Sequence, residues 1–274
     1  MISEIGSVHS VSFKWTCLFV LGARPQFIKA APLHAALIQS GFNVKLVHTG
    51  QHFDHNMSAI FFDQLQLPSP HFNLGISGGT HTTMVGRMMI ELDGVLEKES
   101  PDLVVVFGDT NSTLAGSLSA SQRHIPLVHI EAGLRSHRWE MPEEKNRKLT
   151  DHLSQLLFCP TPQAVDLLAQ EGITQHVYWV GDVMYDLAQQ VQFDLSFLDP
   201  LNVSPSSYSL MTLHRAEAFK SVDHFNEKLD WLKQKALHKP LIWPIHPRAK
   251  NFIEKHKIDV GYVARQLDEL TFRL

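Results

Sequence analysis

The chain has little of what would mark a special environment. Its 274 residues include only two cysteines, Cys17 and Cys159, too few for a disulfide framework. Both sit in apolar runs and read as small core residues. Their scarcity suits a reducing cytoplasm. No stretch reaches the roughly 18 consecutive apolar residues that would suggest a membrane span. Neither sign of charge dominates: 24 Lys and Arg stand against 28 Asp and Glu, a net charge of −4. That balance gives no reason to expect nucleic acid or an anionic membrane as a partner. Internal repeats, low-complexity segments, a Walker GK[ST] loop and a GxGxxG loop are all missing. The start, "MISEIGSVHSVSFKWTCLFVLGARP", has one short apolar run closed by Arg24 and Pro25. It lacks a basic leader and a small-residue cleavage site, so no cleaved signal is expected. The first fourteen residues read as a loose extension.

What is present points to a packed α/β protein. Hydrophobic residues make up 44% and charged residues 19%, which excludes the disordered class. The length suggests one large domain or two medium ones. Short apolar runs at 16–21, 43–48, 102–107, 126–130, 155–159 and 176–180 read as strands. Several are apolar throughout, as strands covered on both faces of a parallel sheet must be. Helical segments are expected between them at 25–40, 55–65, 81–99, 110–122, 142–153, 161–171 and 183–193. This βαβ rhythm predicts a doubly wound sheet. Residues 194–207, with two prolines and several Ser and Asn, read as a linker. The rhythm then restarts with strands 208–212 and 240–245 and helices 219–236 and 247–257. Two βα units are too few to bury both faces of a sheet, so the second domain is expected to be incomplete. The domains are therefore 1–193 and 208–274.

In open α/β sheets, ligands bind beyond the carboxyl ends of the strands. The residues directly after the strands are "GARPQFIK", "TGQHFDH", "GDTNST", "EAGLRS", "GDVMYD", "LHRAEA" and "HPRAK". Polar functional groups thus gather at one end of the strands in both halves. "GARP" suits a strand-to-helix turn with Pro25 in the first helical turn, and its N–H groups and Arg24 also suit a diphosphate. In "GDTNST", Asp109 is either a helix N-cap or a functional carboxylate. "QHFDH" offers His52, Asp54 and His55, but no further ligand lies at metal-binding spacing, so no metal is expected. His129 lies inside an apolar strand and reads as a satisfied core histidine. His214 directly follows a strand beside Arg215 and is the best single histidine for acid–base work. The charged run 130–153 reads first as a solvated helix face. Yet it begins with a glutamate, Glu131, directly after a buried strand, where a carboxylate faces the crevice.

Seven pieces occur in order: "GARPQFIKAAPL", "TGQH", "FGDTNSTLAGSLSA", "HIEAGLRS", "MPEEKNRKLTDHLS", "VGDVMYD" and "TLHRAE". Together they resemble the non-hydrolysing UDP-N-acetylglucosamine 2-epimerase family over about residues 17 to 257. The resemblance implies two Rossmann-like domains of the GT-B type around a cleft. It implies interconversion of UDP-GlcNAc and UDP-ManNAc by elimination and re-addition of UDP across C1–C2, with no nicotinamide cofactor and no metal. Asp109, Glu131 and Glu143 match the family's catalytic carboxylates, and His214 its active-site histidine. Arg24 and Lys29 match residues near the diphosphate, and Gln51 and His52 match positions lining the cleft. Arg135 and Arg215 are further candidate substrate-binding cations. His246 matches a region linked in some members to a second UDP-GlcNAc. A homodimer, a UDP-N-acetylhexosamine substrate and a role in polysaccharide biosynthesis are implied as well.

Three departures loosen the match. Gln26 stands where many members have Glu, a form familiar from surface-polysaccharide pathways, and Ala218 stands where Asn is common. The family's "DSGG…EE" segment, which grips the uridine diphosphate, is absent. The chain is therefore expected to be truncated at its carboxyl end, with little or no activity alone. The open alternatives are an inactive or weakly binding remnant, an epimerase for a 2,3-diacetamido UDP-sugar, the hydrolysing branch that releases free ManNAc, and a GT-B glycosyltransferase.

Overall fold

The computed structural model describes residues 14–51, 62, 65–190, 198, 201, 203–213, 215–237, 239–260 and 265–268. The chain divides into two compact units between Gln190 and Val191. Most of the stretch read as a linker lies outside the described residues, as does most of the helix expected at 55–65.

The first unit is a seven-stranded parallel sheet in the order β3-β2-β1-β4-β5-β6-β7. Its strands are β1 (Thr16–Leu21), β2 (Asn43–His48), β3 (Phe72–Asn73), β4 (Leu103–Phe107), β5 (Leu127–Ile130), β6 (Leu156–Cys159) and β7 (Val177–Trp179). The helices are α1 (Arg24–Gln39), α2 (His81–Glu99), α3 (Asn111–Gln122), α4 (Pro142–Leu153), α5 (Pro162–Gln170) and α6 (Val183–Gln190). Alternation along each strand explains the continuous apolar runs. Cys17, Phe19, Leu21, Val105 and Phe107 pack with Phe27, Ala30 and Ala31 of α1 on one face. Leu18, Val20, Val104 and Val106 pack with Met88 and Leu92 of α2 on the other. Successive residues point to opposite faces, so a doubly covered strand has no polar side to show. Gly116 lets α3 lie directly on the sheet; a Cβ there would stand 3.1 Å from Val106 and 3.2 Å from Val20.

Three helix starts are held by threonine. Thr80, Thr110 and Thr161 accept the backbone N–H three residues on, which satisfies a donor that the helix leaves orphaned. The cap of α3 is thus Thr110 and not Asp109, correcting the helix-cap reading of "GDTNST". Cys17 and Cys159 are buried core thiols; burial pushes both up to about 11.

The second unit has a three-stranded parallel sheet, β10-β9-β8. Its elements are β8 (Ser209–Leu210), α7 (Val222–Ala236), β9 (Leu241–Ile245), α8 (Pro247–His256) and β10 (Arg265–Asp268). Trp243, at the centre of β9, packs with Phe225 and Leu229 of α7, Ala249 of α8 and Val260. Strand β8 is shorter than the expected 208–212. Ser209 and Met211 donate to the Pro240 and Ile242 carbonyls, so alternation brings Pro244 to the same side. Proline has no N–H with which to extend that ladder. Strands β3 and β10 were not anticipated: two residues carry no readable alternation, and β10 includes Arg265 and Asp268. No helix among the described residues is long and apolar enough to cross a membrane.

Candidate active site at the carboxyl ends of β1, β4 and β5

Strands β1 and β4 are neighbours, as are β4 and β5, so the segments following them emerge side by side. After β1, a Cβ on Gly22 would overlap the hydroxyls of Ser112 and Thr49, so only glycine passes here. Those hydroxyls lie 2.8 Å apart. The Gln51 side-chain oxygen accepts from the Ser112 N–H at 3.1 Å and its hydroxyl at 2.8 Å, which laces the end of β2 to the start of α3.

Gln26 is 1% exposed and makes four hydrogen bonds. Its oxygen accepts from the Gly22 and Ala23 N–H groups at 2.8 and 3.0 Å. Its amide donates to the Phe107 carbonyl at 2.9 Å and to the Thr113 hydroxyl at 3.0 Å. Two of the backbone N–H groups that "GARP" was expected to offer a diphosphate, those of Gly22 and Ala23, are therefore already occupied. Arg24 remains exposed in the first turn of α1.

Lys29 reaches from α1 to form an ion pair with Glu131, just after β5. Glu131 has φ 72°, a left-handed conformation that strains any side-chain-bearing residue. Its N–H and that of Ala132 both bond the Phe158 carbonyl, at 3.1 and 3.0 Å, which anchors the turn. Gly108 makes room for the pair: a Cβ there would lie 3.2 Å from the Glu131 carboxylate and 3.4 Å from the Lys29 ammonium. Glu131 follows a buried strand directly because a sharp turn lifts its carboxylate over the end of β4.

Next to Gly108, Asp109 is clamped by α4. Arg147 pairs with its carboxylate, and the Asn146 amide donates to its backbone carbonyl at 2.8 Å. Arg147 also lies 3.3 Å from Glu144, which is 1% exposed. Burial works against the Glu144 charge. Hydrogen bonds from the Ser136 N–H and hydroxyl and the His137 N–H, together with the Arg147 charge, outweigh it and hold the carboxyl below its usual range. Glu143 is half-buried in the first turn of α4. Its spacing of three and four residues puts it on one helix face with Asn146 and Arg147. Sequence reading missed Glu144, Asn146 and Arg147. The signal was that same spacing, hidden in a run that resembles an ordinary solvated face.

Arg135 is buried at 1% side-chain exposure. Its guanidinium lies 2.7 Å from Asp151 and forks onto Glu171 at 2.9 and 2.7 Å. Arg135 therefore braces α4 against the end of α5 and does not face open space, which corrects its assignment as a substrate-binding cation. Burial works against the Arg135 charge, but these acids more than offset it. The Arg135 bonds, opposed by burial and assisted by Lys148 at 2.8 Å, bring Glu171 down to about 2. Lys148 is thus paired rather than merely solvated. His129 is a satisfied core histidine: its ring nitrogens lie 2.7 Å from Asp151 and 2.8 Å from the Gly108 carbonyl.

An apolar cavity of about 430 Å³ lies on the α1 side of the sheet and reaches Glu131. The charged groups in its wall are Glu131, Asp182 and Asp186, the wrong sign for a diphosphate. In the second unit, Arg215 is exposed before a short 3-10 turn (Ala216–Phe219), and His246 caps α8 by accepting from the Arg248 N–H at 3.1 Å. His52 and His214 lie outside the described residues. The first unit thus gathers Lys29, Asp109, Glu131 and Arg147 around Gly108, with Glu143 on the adjoining helix face: three carboxylates interleaved with two cations.

Comparison with known proteins gives a consistent picture. The family model described as UDP-N-acetylglucosamine 2-epimerase matches residues 35–272. A UDP-2,3-diacetamido-2,3-dideoxy-D-glucuronate 2-epimerase of Pseudomonas aeruginosa is 47% identical over 244 residues, covering 87% of this chain and 68% of that protein. A UDP-N-acetylglucosamine 2-epimerase homolog of Methanococcus maripaludis is 44% identical over 246 residues with the same coverage. Among solved structures, the Methanocaldococcus jannaschii UDP-GlcNAc 2-epimerase in complex with UDP-GlcNAc and UDP superposes with a TM-score of 0.78 at 37% identity. That match covers 92% of this chain and 73% of that one.

Proposed function

Because the chain belongs to the UDP-N-acetylglucosamine 2-epimerase family, we propose that it interconverts UDP-GlcNAc and UDP-ManNAc by inverting C2. The C2 proton of the sugar is not acidic enough for simple exchange. A carboxylate removes it as the C1–O bond breaks, UDP departs with the bonding pair, and a C1=C2 glycal remains. UDP then adds back to C1 while a carboxylic acid delivers a proton to the other face of C2. The reaction is redox-neutral and needs acids and bases on both faces plus cations for the leaving diphosphate. In this reading Asp109, Glu131 and Glu143 perform the acid–base work together with His214. Arg24 and Lys29 receive the diphosphate, Gln51 and His52 line the approach to them, and Arg215 and His246 are further substrate-binding residues, His246 toward a second UDP-GlcNAc. Working as a cytoplasmic homodimer that feeds polysaccharide synthesis completes the proposal.

The observation that carries this reading is the placement of Lys29 with Glu131 and Arg147 with Asp109 over Gly108, at the ends of three adjacent strands. The test is incubation with UDP-GlcNAc in deuterated water, followed by proton NMR. Deuterium at C2 with UDP-ManNAc appearing supports it and overturns the expectation that the chain has little or no activity alone. No exchange by a folded protein overturns it in favour of a non-catalytic remnant. A second reading, epimerisation of a 2,3-diacetamido UDP-sugar, is favoured by the 47% identity to the Pseudomonas enzyme. The same assay with that sugar separates the two.

A further inference from the structure

Three successive backbone carbonyls at the end of β4 are held by buried side chains from four different elements. The Phe107 carbonyl accepts from the Gln26 amide of α1 at 2.9 Å and the Thr113 hydroxyl of α3 at 2.7 Å. The Asp109 carbonyl accepts from the Asn146 amide of α4 at 2.8 Å. Between them, the Gly108 carbonyl lies 2.8 Å from Nε2 of His129 on β5. The other ring nitrogen, Nδ1, lies 2.7 Å from the Asp151 carboxylate. Both partners of this ring are acceptors. A neutral imidazole has one N–H and one lone pair, so in either tautomer one contact would set a lone pair against an oxygen. A proton on Asp151 would relieve that contact. Yet the second Asp151 oxygen already accepts from Arg135 at 2.7 Å and from the Gly133 N–H at 3.3 Å, the partners of an ionised carboxylate. His129 and Asp151 both have a side-chain exposure of 0%. No other charge competes for the ring. Helix α3 carries no charged residue, and the strand neighbours of His129 are Val106 and Leu157. The Cys159 thiol, pushed up to about 11 chiefly by burial, stays neutral. Beyond Asp151, Arg135 and Lys148 are paired with Glu171.

We propose that His129 is a buried imidazolium, protonated on both ring nitrogens, and a positioning residue that fixes the Gly108 peptide beneath the Lys29–Glu131 and Arg147–Asp109 pairs. The Asp151 carboxylate compensates its charge in the apolar interior. Its bond to Gly108 is charge-assisted, and so stronger than the neutral amide bonds to the carbonyls on either side. Gly108 needs such a hold, because it leaves β4 with φ 62° and belongs to no helix or strand. Its N–H donates to the Ile130 carbonyl at 3.0 Å, so β5 grips this peptide through both neighbouring residues, His129 and Ile130. Arg135, Asp151 and His129 thus form one line of paired charges from the α4–α5 brace to Gly108. The proton count rests on geometry alone. Only the acid–base roles of Asp109 and Glu131 rest on the proposed function.

The test is NMR of the full chain with isotope-labelled histidine, aspartate and glutamate at about pH 8, where an ordinary histidine is neutral. The expected result is two ring N–H signals for His129 and a scalar coupling across the bond from Nε2 to the Gly108 carbonyl. A single ring N–H overturns the proposal. Two variants separate positioning from packing. His129→Gln puts an amide where Nε2 stood and keeps the Gly108 bond; His129→Asn puts one where Nδ1 stood and keeps only the Asp151 bond. Exchange of the Gly108 amide should quicken at least about tenfold in His129→Asn and less than about threefold in His129→Gln. The side-chain carboxyl signals of Asp109 and Glu131 should move in the first variant and return toward the wild-type positions in the second. Equal changes in both variants, or none in either, overturn the positioning role. If either variant does not fold, the wild-type coupling to Gly108 decides, and its absence overturns the proposal. None of these readouts needs turnover, so a chain without C2 exchange would overturn the proposed function and leave this result intact.

Discussion

The two units make different use of the same construction. In the first, strands β1, β2, β4 and β5 at the middle of a seven-stranded sheet put alternate residues into two separate cores and are covered from both sides, while the edge strand β7 leaves Tyr178 and Trp179 exposed. In the second, a small core joins β9 to its two helices through Trp243, Phe225, Leu229 and Ala249, and β8 keeps an open edge among the described residues. A wide sheet can carry strain at its strand ends, because burial on both faces holds them in place. Glu131, in a left-handed conformation beside Lys29, is such a strained point. A three-stranded sheet has little burial to spare for such a site.

The most damaging test of this contrast concerns chemistry. Glu131→Gln should lower C2 deuterium exchange by about a hundredfold or more while leaving the melting curve nearly unchanged. An equal loss of structure would mean that the Lys29 pair is mainly a scaffold. Next in size is the core of the second unit. Trp243→Ala should destabilise that unit by about 3–5 kcal/mol. In a two-transition melt only the lower transition should disappear, and loss of both would show that the units do not fold separately. Within the first unit, Gln26→Glu replaces a donating amide with a carboxylate oxygen facing the Phe107 carbonyl, at a cost of about 2 kcal/mol near neutral pH. A protonated Glu can still donate, so its folded-state pKa is raised. The deficit should shrink in acid and grow as pH rises through that pKa, as read from melts at about pH 4.5 and 8. Smallest is the Arg135–Glu171 brace. Glu171 is depressed to about 2, so its contribution is complete above an unfolded value of about 4.3 and fades as pH falls toward 2. Because the carboxylate is partly solvated, that contribution is about 1 kcal/mol at most. Wild type should lose more urea resistance than Glu171→Gln over that acid range.

Much of the fold was legible in the sequence, and particular residues show why. Helix α2 at 81–99 and helix α4 at 142–153 have the expected bounds, since each is closed by clear start and stop signals. Strand interiors were readable because double burial removes polar residues. Strand β3 was not readable, because two residues fit any pattern. At the site, Glu131 and Asp109 stood out as polar residues directly after apolar strands. Arg135 stood out for the same reason, but its position in three dimensions turns it inward to Asp151 and Glu171.

Local chemistry written in the sequence determined the parallel strands, the threonine-capped and proline-started helices, and the clustering of charged residues at one end of the strands. It did so because burial and capping act within a few residues of the chain. Tertiary structure alone decided which charges meet. Lys29 pairs with Glu131 across 102 positions and Arg147 with Asp109 across 38, while Gln26 fills the N–H groups expected for a phosphate. Such pairings depend on strand order, and strand order is set by burial summed over the whole sheet rather than by any short stretch of sequence.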